Sequence, residues 1–364
     1  MTLRGADSDL VRRARDDGDP LPETGGFAGE LDGALVRDVL GRELVYADRE
    51  SDAWSFDPDE LVDPVLVSAG HVSPLGPGGE TRPLWTLPDP DPGDDADAAV
   101  GAVREAVRDR IDAVDESGLA VAFSGGVDST AIAARVDAPL YVAGFEGSHD
   151  IEAARSAAAA LDGDADLRVV DVTHDDIERA VRGVVAATGR TNAMDVAIAV
   201  PLWLLAERVS GDGYERLALG QGADELFGGY AKVAKAPDDD RVAADTVRAA
   251  RRETVLGLPD QVERDLRTLR GSGVEPVTPL LHDRVVRAAL ALPGELLVAG
   301  DERKVGFRRA VSEWVPAPVV DRDKKALQYG SLVSRELDRM ARQAGFKRRL
   351  NDHVRKYVES ITGE

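Results

Sequence analysis

Cysteine is absent from all 364 residues, which rules out disulfides, thiolate zinc sites, cysteine-held iron–sulfur clusters and a cysteine nucleophile within this sequence. Lysine is scarce. Only Lys232, Lys235, Lys304, Lys324, Lys325, Lys347 and Lys356 occur among 45 basic residues, and the rest are arginine. Aromatic residues make up 5%, and no Lys/Arg cluster interleaved with them points to a groove for nucleic acid. Long apolar runs are also missing. The opening Met1-Thr-Leu-Arg-Gly-Ala-Asp7 lacks the apolar core of a signal peptide. The most apolar stretch, Ala193 to Leu205, is too short to span a bilayer and contains Asp195. The expectation is a soluble, cytoplasmic protein with neither membrane nor nucleic acid among its partners.

What the sequence has in excess is acid. Asp and Glu number 67, giving a formal charge of −22 and a pI near 4.7. The carboxylates are spread along the chain and not gathered in one tail. That pattern resembles proteins adapted to a high-salt cytoplasm, where dense carboxylates hold water and oppose aggregation; a basic partner is the competing explanation. With 43% hydrophobic residues, the chain is long enough for two domains, or one large one, with a proper core.

One break is clear. Thr86-Leu-Pro-Asp-Pro-Asp-Pro-Gly-Asp-Asp-Ala-Asp97 stacks proline, glycine and aspartate and reads as a linker. Before it, short apolar runs at Ala34–Val36, Glu43–Tyr46 and Val65–Val67 sit between turn residues, as in a small β-rich unit. After it, helical spacing covers Ala98–Val114, and Leu119–Phe123 is a fully apolar run of the kind found in buried parallel strands. Helices are then expected over Thr130–Val136 and Ile151–Leu161, and strands at Leu140–Gly144, Leu167–Val172 and Arg216–Leu219. Strands alternating with helices predict an α/β fold with a doubly wound parallel sheet, followed by a mostly helical part from Val242 onward.

Two glycine-rich strings carry the chemistry. Phe123-Ser-Gly-Gly-Val-Asp-Ser-Thr130 lies between an expected strand and an expected helix. Adjacent glycines let the backbone turn tightly and approach a ligand, and the following helix start offers amides and partial positive charge to a phosphate. Ser124, Ser129 and Thr130 add hydroxyls. Asp128 would repel a bare phosphate, so a cation between them is implied, and carboxylate plus phosphate oxygens is an ordinary Mg²⁺ set. An ordinary strand-to-helix turn is the bland alternative. The second string, Leu219-Gly-Gln-Gly-Ala-Asp-Glu-Leu-Phe-Gly-Gly-Tyr230, follows the expected strand at Arg216–Leu219. It therefore opens at the same sheet edge, with Asp224 and Glu225 as carboxylates; Asp224 and Asp128 are candidates to share one Mg²⁺. A helix start with acidic first-turn residues needs no ligand and is the alternative there.

Together, SGGVDST and GQGADELFGGY resemble the synthetase domain of asparagine synthetases, within the wider PP-loop ATP pyrophosphatases. Further similarities follow in order. Val142-Ala-Gly-Phe-Glu-Gly-Ser148 resembles the adenine-side strand, and Gly273–Leu281 resembles the segment usually read as GVEARVPFLD. Lys304-Val-Gly-Phe-Arg308 and Arg322-Asp-Lys324 resemble the two basic C-terminal elements. The resemblance runs from about Ala98 to about Gly330. It implies an adenine nucleotide alpha-hydrolase-like fold over 98–364. It also implies ATP and pyrophosphate binding by Ser124, Gly125, Gly126, Asp128, Ser129, Ala143 and Gly220, with Mg²⁺ on Asp128 and Asp224. Lys304, Lys324 and Gln221 would be the catalytic positions, the lysines offsetting charge at the α-phosphate.

Two departures qualify this. Gln221 stands where many relatives carry Glu, so a base role there is replaced by a neutral amide. Residues 1–90, with Leu35–Tyr46, Trp54-Ser-Phe56, Gly70-His-Val72 and Trp85, look like the closing half of an Ntn-type glutaminase domain. Thr2 stands where the family nucleophile is cysteine, so this region is expected to be a remnant without a nucleophile. His71 and Trp85 are read as packing residues. The implied reaction joins a carboxylate, aspartate by default, to ammonia or an amine, with nitrogen as free ammonium or from a separate glutaminase subunit. A homo-oligomer is possible. Alternatives are an amide or lactam synthetase with another carboxylate, a tRNA-modifying relative, and a non-catalytic nucleotide-binding partner subunit.

Overall fold

A computed structural model describes residues 2–76, 78–161, 163, 165–236, 246–322, 331–348 and 352–363. The chain forms two compact units that interleave in sequence. The first comprises residues 1–111, 221–263 and 278–310, and the second residues 112–220, 264–277 and 311–364. No helix among the described residues is long and apolar enough to cross a membrane.

The first unit begins with strand β1 (Thr2–Arg4) and helix α1 (Ser8–Asp17). Helix α1 is set by its ends: the Asp7 side chain accepts the amides of Asp9 and Leu10, and Gly18 closes the last turn in left-handed geometry. Strands β2 (Ala28–Leu31), β3 (Ala34–Arg37), β7 (His71–Pro74) and β8 (Arg82–Pro83) join β1 in an antiparallel sheet ordered β1-β2-β3-β7-β8. A second small sheet holds β5 (Trp54–Ser55), β4 (Tyr46–Asp48) and β6 (Pro64–Leu66). The expected apolar runs fall close to these strands, although Glu43 to Val45 precede β4 and are not part of it. Trp85 is buried and meets Phe27 edge-on at 5.4 Å, a packing contact.

The proline-rich stretch before helix α2 (Ala96–Asp112) reads from the sequence as a linker, which would leave it without packing contacts. Its beginning differs from that expectation. Leu87 is buried, and Arg252 donates to the carbonyls of Leu87 and Pro88 at 2.8 Å each. Arg248 donates to Pro90 O at 2.6 Å. Prolines offer carbonyls without amides, so arginines from a remote helix satisfy them.

A buried charge cluster lies in the same unit. Arg42 Nε donates to Asp38 Oδ1 at 2.8 Å, and its Nη1 lies 2.7 Å from Asp283 Oδ1. All three side chains are 1% exposed or less. Burial alone would lower the Arg42 pKa, but Asp38 and Asp283 more than compensate and hold it above its usual value. Next to Asp283, His282 caps the helix Asp283–Leu290 by accepting the amide of Arg284 at 3.2 Å.

The second unit is built on a five-stranded, wholly parallel sheet. Its members are β9 (Leu119–Ala122), β10 (Leu140–Gly144), β11 (Leu167–Asp171), β12 (Arg216–Ala218) and β13 (Glu275–Val277), in spatial order β11-β10-β9-β12-β13. Helix α3 (Val127–Ala133) connects β9 to β10, α4 (His149–Ala158) connects β10 to β11, and α5 (His174–Thr188) with α6 (Ala193–Gly211) connect β11 to β12. This is the expected α/β arrangement with one strand, β13, beyond those predicted. Its main core joins Ala120, Tyr141 and Leu217 of the sheet to Val181, Val200 and Leu205 of the helices and to Leu337 and Val358 near the C-terminus.

Two consequences can be measured. Gly183 lies inside α5, and a Cβ there would fall 2.3 Å from Cζ2 of Trp203 on α6. Helix propensity alone would make Gly183→Ala stabilising by about 1 kcal/mol. The overlap with a rigid indole reverses the sign, and thermal unfolding should show a net loss of about 1–3 kcal/mol. The second concerns pH. Burial, then the guanidinium groups of Arg110, Arg42 and Arg284, pushes His282 down from 6.5 to about 4. The unfolded chain takes up this proton near 6.5 and the folded chain near 4. The stability from neutral His282 is therefore complete above pH 6.5 and falls away as pH drops toward 4, by about 1–2 kcal/mol after discounting for partial exposure. His282→Asn keeps a capping side chain and should lose less thermal stability than wild type between pH 7 and pH 5.

Candidate active site

Parallel register places the loops after β9, β10 and β12 at one edge of the second unit's sheet, since Val121 pairs with both Leu140 and Ala218. In open α/β sheets that carboxyl edge is where ligands bind. Ser124, Gly125 and Gly126 turn the chain from β9 into α3. Gly125 has φ +71°, and a Cβ there would stand 2.5 Å from Ala153 O, so this position admits glycine alone without rearrangement. Gly126 is the N-cap of α3 and supplies no side-chain cap.

The serines hold the loop's shape. Ser129 Oγ donates to Gly126 O at 3.2 Å and accepts the Ser124 amide at 3.3 Å, while Ser124 Oγ accepts the Gly126 amide at 3.4 Å. Ser129 is 5% exposed, and the Ser124 and Ser129 hydroxyls are 3.3 Å apart. Gly220, after β12, packs on the start of α3: a Cβ there would meet Asp128 Cβ at 2.9 Å and the Ser129 amide nitrogen at 3.3 Å. The structure thus brings Ser124, Gly125, Gly126, Asp128, Ser129 and Gly220 together. Ala143 lies near the carboxyl end of β10 at that edge.

The remaining predicted residues that the structure describes belong to the first unit. Gln221 is half-buried. Gly222, at φ +90°, is the N-cap of helix α7 (Ala223–Phe227), and Asp224 is the second residue of that helix. Lys304 Nζ lies 2.6 Å from Asp224 Oδ1. The Lys304 side chain is 2% exposed, and its backbone sits at φ +59°, in the left-handed region. Such a backbone is uncommon outside glycine, asparagine and aspartate. It follows the hairpin of β14 (Val298–Ala299) and β15 (Glu302–Arg303), with the Lys304 amide bonded to Leu297 O at 2.8 Å. Lys324 falls outside the described residues.

Sequence reasoning assigned Asp224 to metal and Lys304 to phosphate charge without connecting them. It also missed what surrounds the pair. A Cβ at Gly229 would lie 1.9 Å from Asp224 Oδ1 and 2.4 Å from Lys304 Cε, so the double glycine of the Phe227-Gly-Gly-Tyr230 string leaves the space that the pair fills. Arg303 donates to Gly229 O at 2.7 Å. Glu225, 5% exposed, accepts a hydrogen bond from the Tyr230 hydroxyl. Burial pushes the Glu225 carboxyl up, and the Tyr230 hydrogen bond partly opposes this. Glu225 was already a candidate carboxylate in the sequence; the signal that could have located Gly229 was its place inside the same string, Leu219–Tyr230.

The donor chemistry also bears on the metal. Among the described residues, no group of three or more His, Cys, Asp or Glu side chains could hold a metal alone. Single hard carboxylates such as Asp128 and Asp224 suit Mg²⁺, which is usually bound through one or two carboxylates together with phosphate oxygens and water.

A family model described as asparagine synthase matches residues 100–265 and 256–360. The chain belongs to the asparagine synthetase family. It is 27% identical over 300 residues to a protein of Methanocaldococcus jannaschii named as a glutamine-hydrolysing asparagine synthetase 1, covering 72% of this chain and 54% of that one. It is 24% identical over 251 residues to the glutamine-hydrolysing asparagine synthetase B of Escherichia coli, covering 63% and 44%. The chain thus spans about half the length of the curated relatives it matches.

One substitution tests the environment of the ion pair. Gly229→Ala should displace Asp224 and Lys304 and lower stability by about 1–3 kcal/mol, read by thermal unfolding. A wild-type melting temperature would mean that the pair has slack the packing does not show.

Proposed function

We propose that the chain is an ATP-dependent amide-forming ligase of the carbon–nitrogen class. It activates a carboxylate, most simply aspartate, by adenylation and then passes the acyl group to ammonia or an amine. The observation that carries this reading is the glycine-serine loop at the carboxyl edge of the parallel sheet, with Gly220 of the second glycine string packed onto Asp128.

The substrate carboxylate attacks the α-phosphate of ATP, pyrophosphate leaves, and the amine displaces AMP from the acyl-adenylate. Little covalent chemistry is asked of the protein, so its residues work by positioning and by charge. The Ser124–Ser129 loop offers amides and hydroxyls to the pyrophosphate, and the close backbone approach at Gly125 and Gly220 lets a nucleotide lie against the chain. Asp128 and Asp224 would each serve Mg²⁺, which neutralises phosphate charge when bound. An aspartate has two carboxylate oxygens, so contact between Asp224 Oδ1 and Lys304 is compatible with a metal contact. Lys304 brings a positive charge to phosphorus, and Lys324 is assigned the same task by family resemblance. Gln221 is neutral and orients a reactant without abstracting a proton. With no cysteine in the chain, nitrogen enters as free ammonium or from a separate glutaminase subunit. The acidic composition favours a high-salt setting, so assays belong in molar KCl.

Incubation with Mg·ATP, aspartate and ammonium should yield pyrophosphate, AMP and asparagine in equal amounts. Asp128→Asn should lower pyrophosphate release on the order of a hundredfold, with the fold intact. Glutamine in place of ammonium should support no reaction, and glutamate release by the pure chain would overturn the nitrogen assignment. Pyrophosphate release with a different carboxylate, and none with aspartate, would redirect the reading to an amide or lactam synthetase on the same scaffold.

A further inference from the structure

The buried cluster of Asp38, Arg42 and Asp283 is an odd way to stabilise a fold. Removing three ionised groups from water is costly, and apolar side chains of similar volume often serve stability as well or better. What the cluster supplies is directional. Besides its contacts with both carboxylates, Arg42 Nη1 donates to the carbonyl of Leu281 at 2.7 Å. Asp283 Oδ2 accepts from the Thr24 amide at 2.8 Å and the Thr24 hydroxyl at 3.1 Å, and the Asp283 amide donates to Thr24 O at 2.9 Å. Thr24 is 5% exposed and follows Glu23, whose φ of +64° is one of three positive values outside glycine among the described residues. The segment Leu281–Asp283 is thus gripped from residues 24 and 42, with Asp38 holding the Arg42 side chain in place.

Leu281 carries that grip to the ion pair. Its side chain, 1% exposed, lies against Gly222 so closely that a Cβ there would be 2.3 Å from Leu281 Cδ2. Gly222 is the left-handed N-cap of α7, and two residues on is Asp224, paired with Lys304. A short helix of five residues has little stability of its own. Its start is therefore set by what packs on it.

We infer that Arg42 is a positioning residue for the ligase site: with Asp38 and Asp283 it holds Leu281 on Gly222, and so fixes the start of α7 and the Asp224–Lys304 pair. This gives the N-terminal segment, read from sequence as a glutaminase remnant, a part in the synthetase half-reaction that needs no glutamine chemistry. The inference rests on the ligase reading for its kinetic consequence and on geometry alone for its structural one.

Both parts are tested by comparing wild type with Leu281→Ala, which keeps the charge cluster but removes the wedge, and with Arg42→Lys, which keeps the charge but loses the planar fork. Hydrogen exchange should quicken at least tenfold in peptides covering 222–230 in both variants, while β2, β3 and β9 to β12 keep wild-type protection. With Mg·ATP, aspartate and ammonium, kcat for pyrophosphate release should fall about tenfold and KM for ATP should stay within twofold, as expected when a group acting on the transition state is misplaced. Arg42→Lys should be the milder of the two. Unchanged exchange at 222–230 in folded Leu281→Ala overturns the inference. So does a uniform loss of protection in which α7 suffers no more than β2 and β3, because that is the mark of a purely structural role. If the wild type releases no pyrophosphate with any carboxylate, the ligase reading fails, and the exchange data still decide whether the cluster sets the position of α7.

Discussion

An ammonium group at 2% exposure must have a counter-charge at hand, and for Lys304 that partner includes Asp224 at 2.6 Å. Much of the local architecture follows from keeping these two side chains together. The lysine backbone turns through a left-handed conformation, and Gly229 is bare so that the pair has room. Helix α7 is bounded by two glycines of positive φ, which lets a five-residue helix start and stop where the carboxylate is needed. An ion pair built this way is not a general device for stability, because the desolvation of Lys304 offsets much of the attraction. It does hold a charge at a defined place.

The second unit meets a different constraint, close packing of backbone at the carboxyl edge of its sheet. Every strand pair in its sheet is parallel, so the loops after β9 and β12 emerge side by side. At this edge, one added carbon at Gly125 or Gly220 would strike a neighbour, Ala153 O in one case and Asp128 in the other. Their motifs lie almost a hundred residues apart in sequence, yet Gly220 packs onto the start of α3. That juxtaposition sets the first glycine of the second string directly on the loop of the first.

How much of this could be read from the sequence depended on the range of the interaction involved. Strands β9, β10 and β11 emerged within a residue or two, because continuous apolar runs flanked by turn residues are local signals. The tight turn at Gly125 and Gly126 was legible for the same reason, whereas the serines, read as donors to a phosphate, also bond within the loop. Strand β13 was not, since Glu275-Pro-Val277 is short, contains proline, and is a strand only because β12 lies beside it. Helix α1 was also missed. It buries only Val11 and Ala14, so its apolar face is too thin to register, although Asp7 and Gly18 mark its ends. The bonds that matter most at the candidate site lie beyond any local pattern. Nothing near Asp224 announces a partner eighty residues on, and nothing near Arg42 announces Leu281.

The scarcity of lysine takes on meaning against what arginine does here. Arg37, buried, gives its guanidinium to the carbonyls of Gly41, Glu43 and Val67. Arg251 does the same for Leu226, Ala289 and Leu290, and it stays charged at neutral pH even though burial lowers its pKa to about 10. A planar fork with five donors can satisfy several carbonyls at once and does not release its proton when buried, which suits a structural cation. Lysine offers a compact point charge on a flexible stem instead, and is a poor substitute for that task. In a chain that uses arginine for buried scaffolding as well as for the surface, a lysine in the interior marks a place where a point charge is wanted. Lys304, inside and paired with Asp224, is such a place.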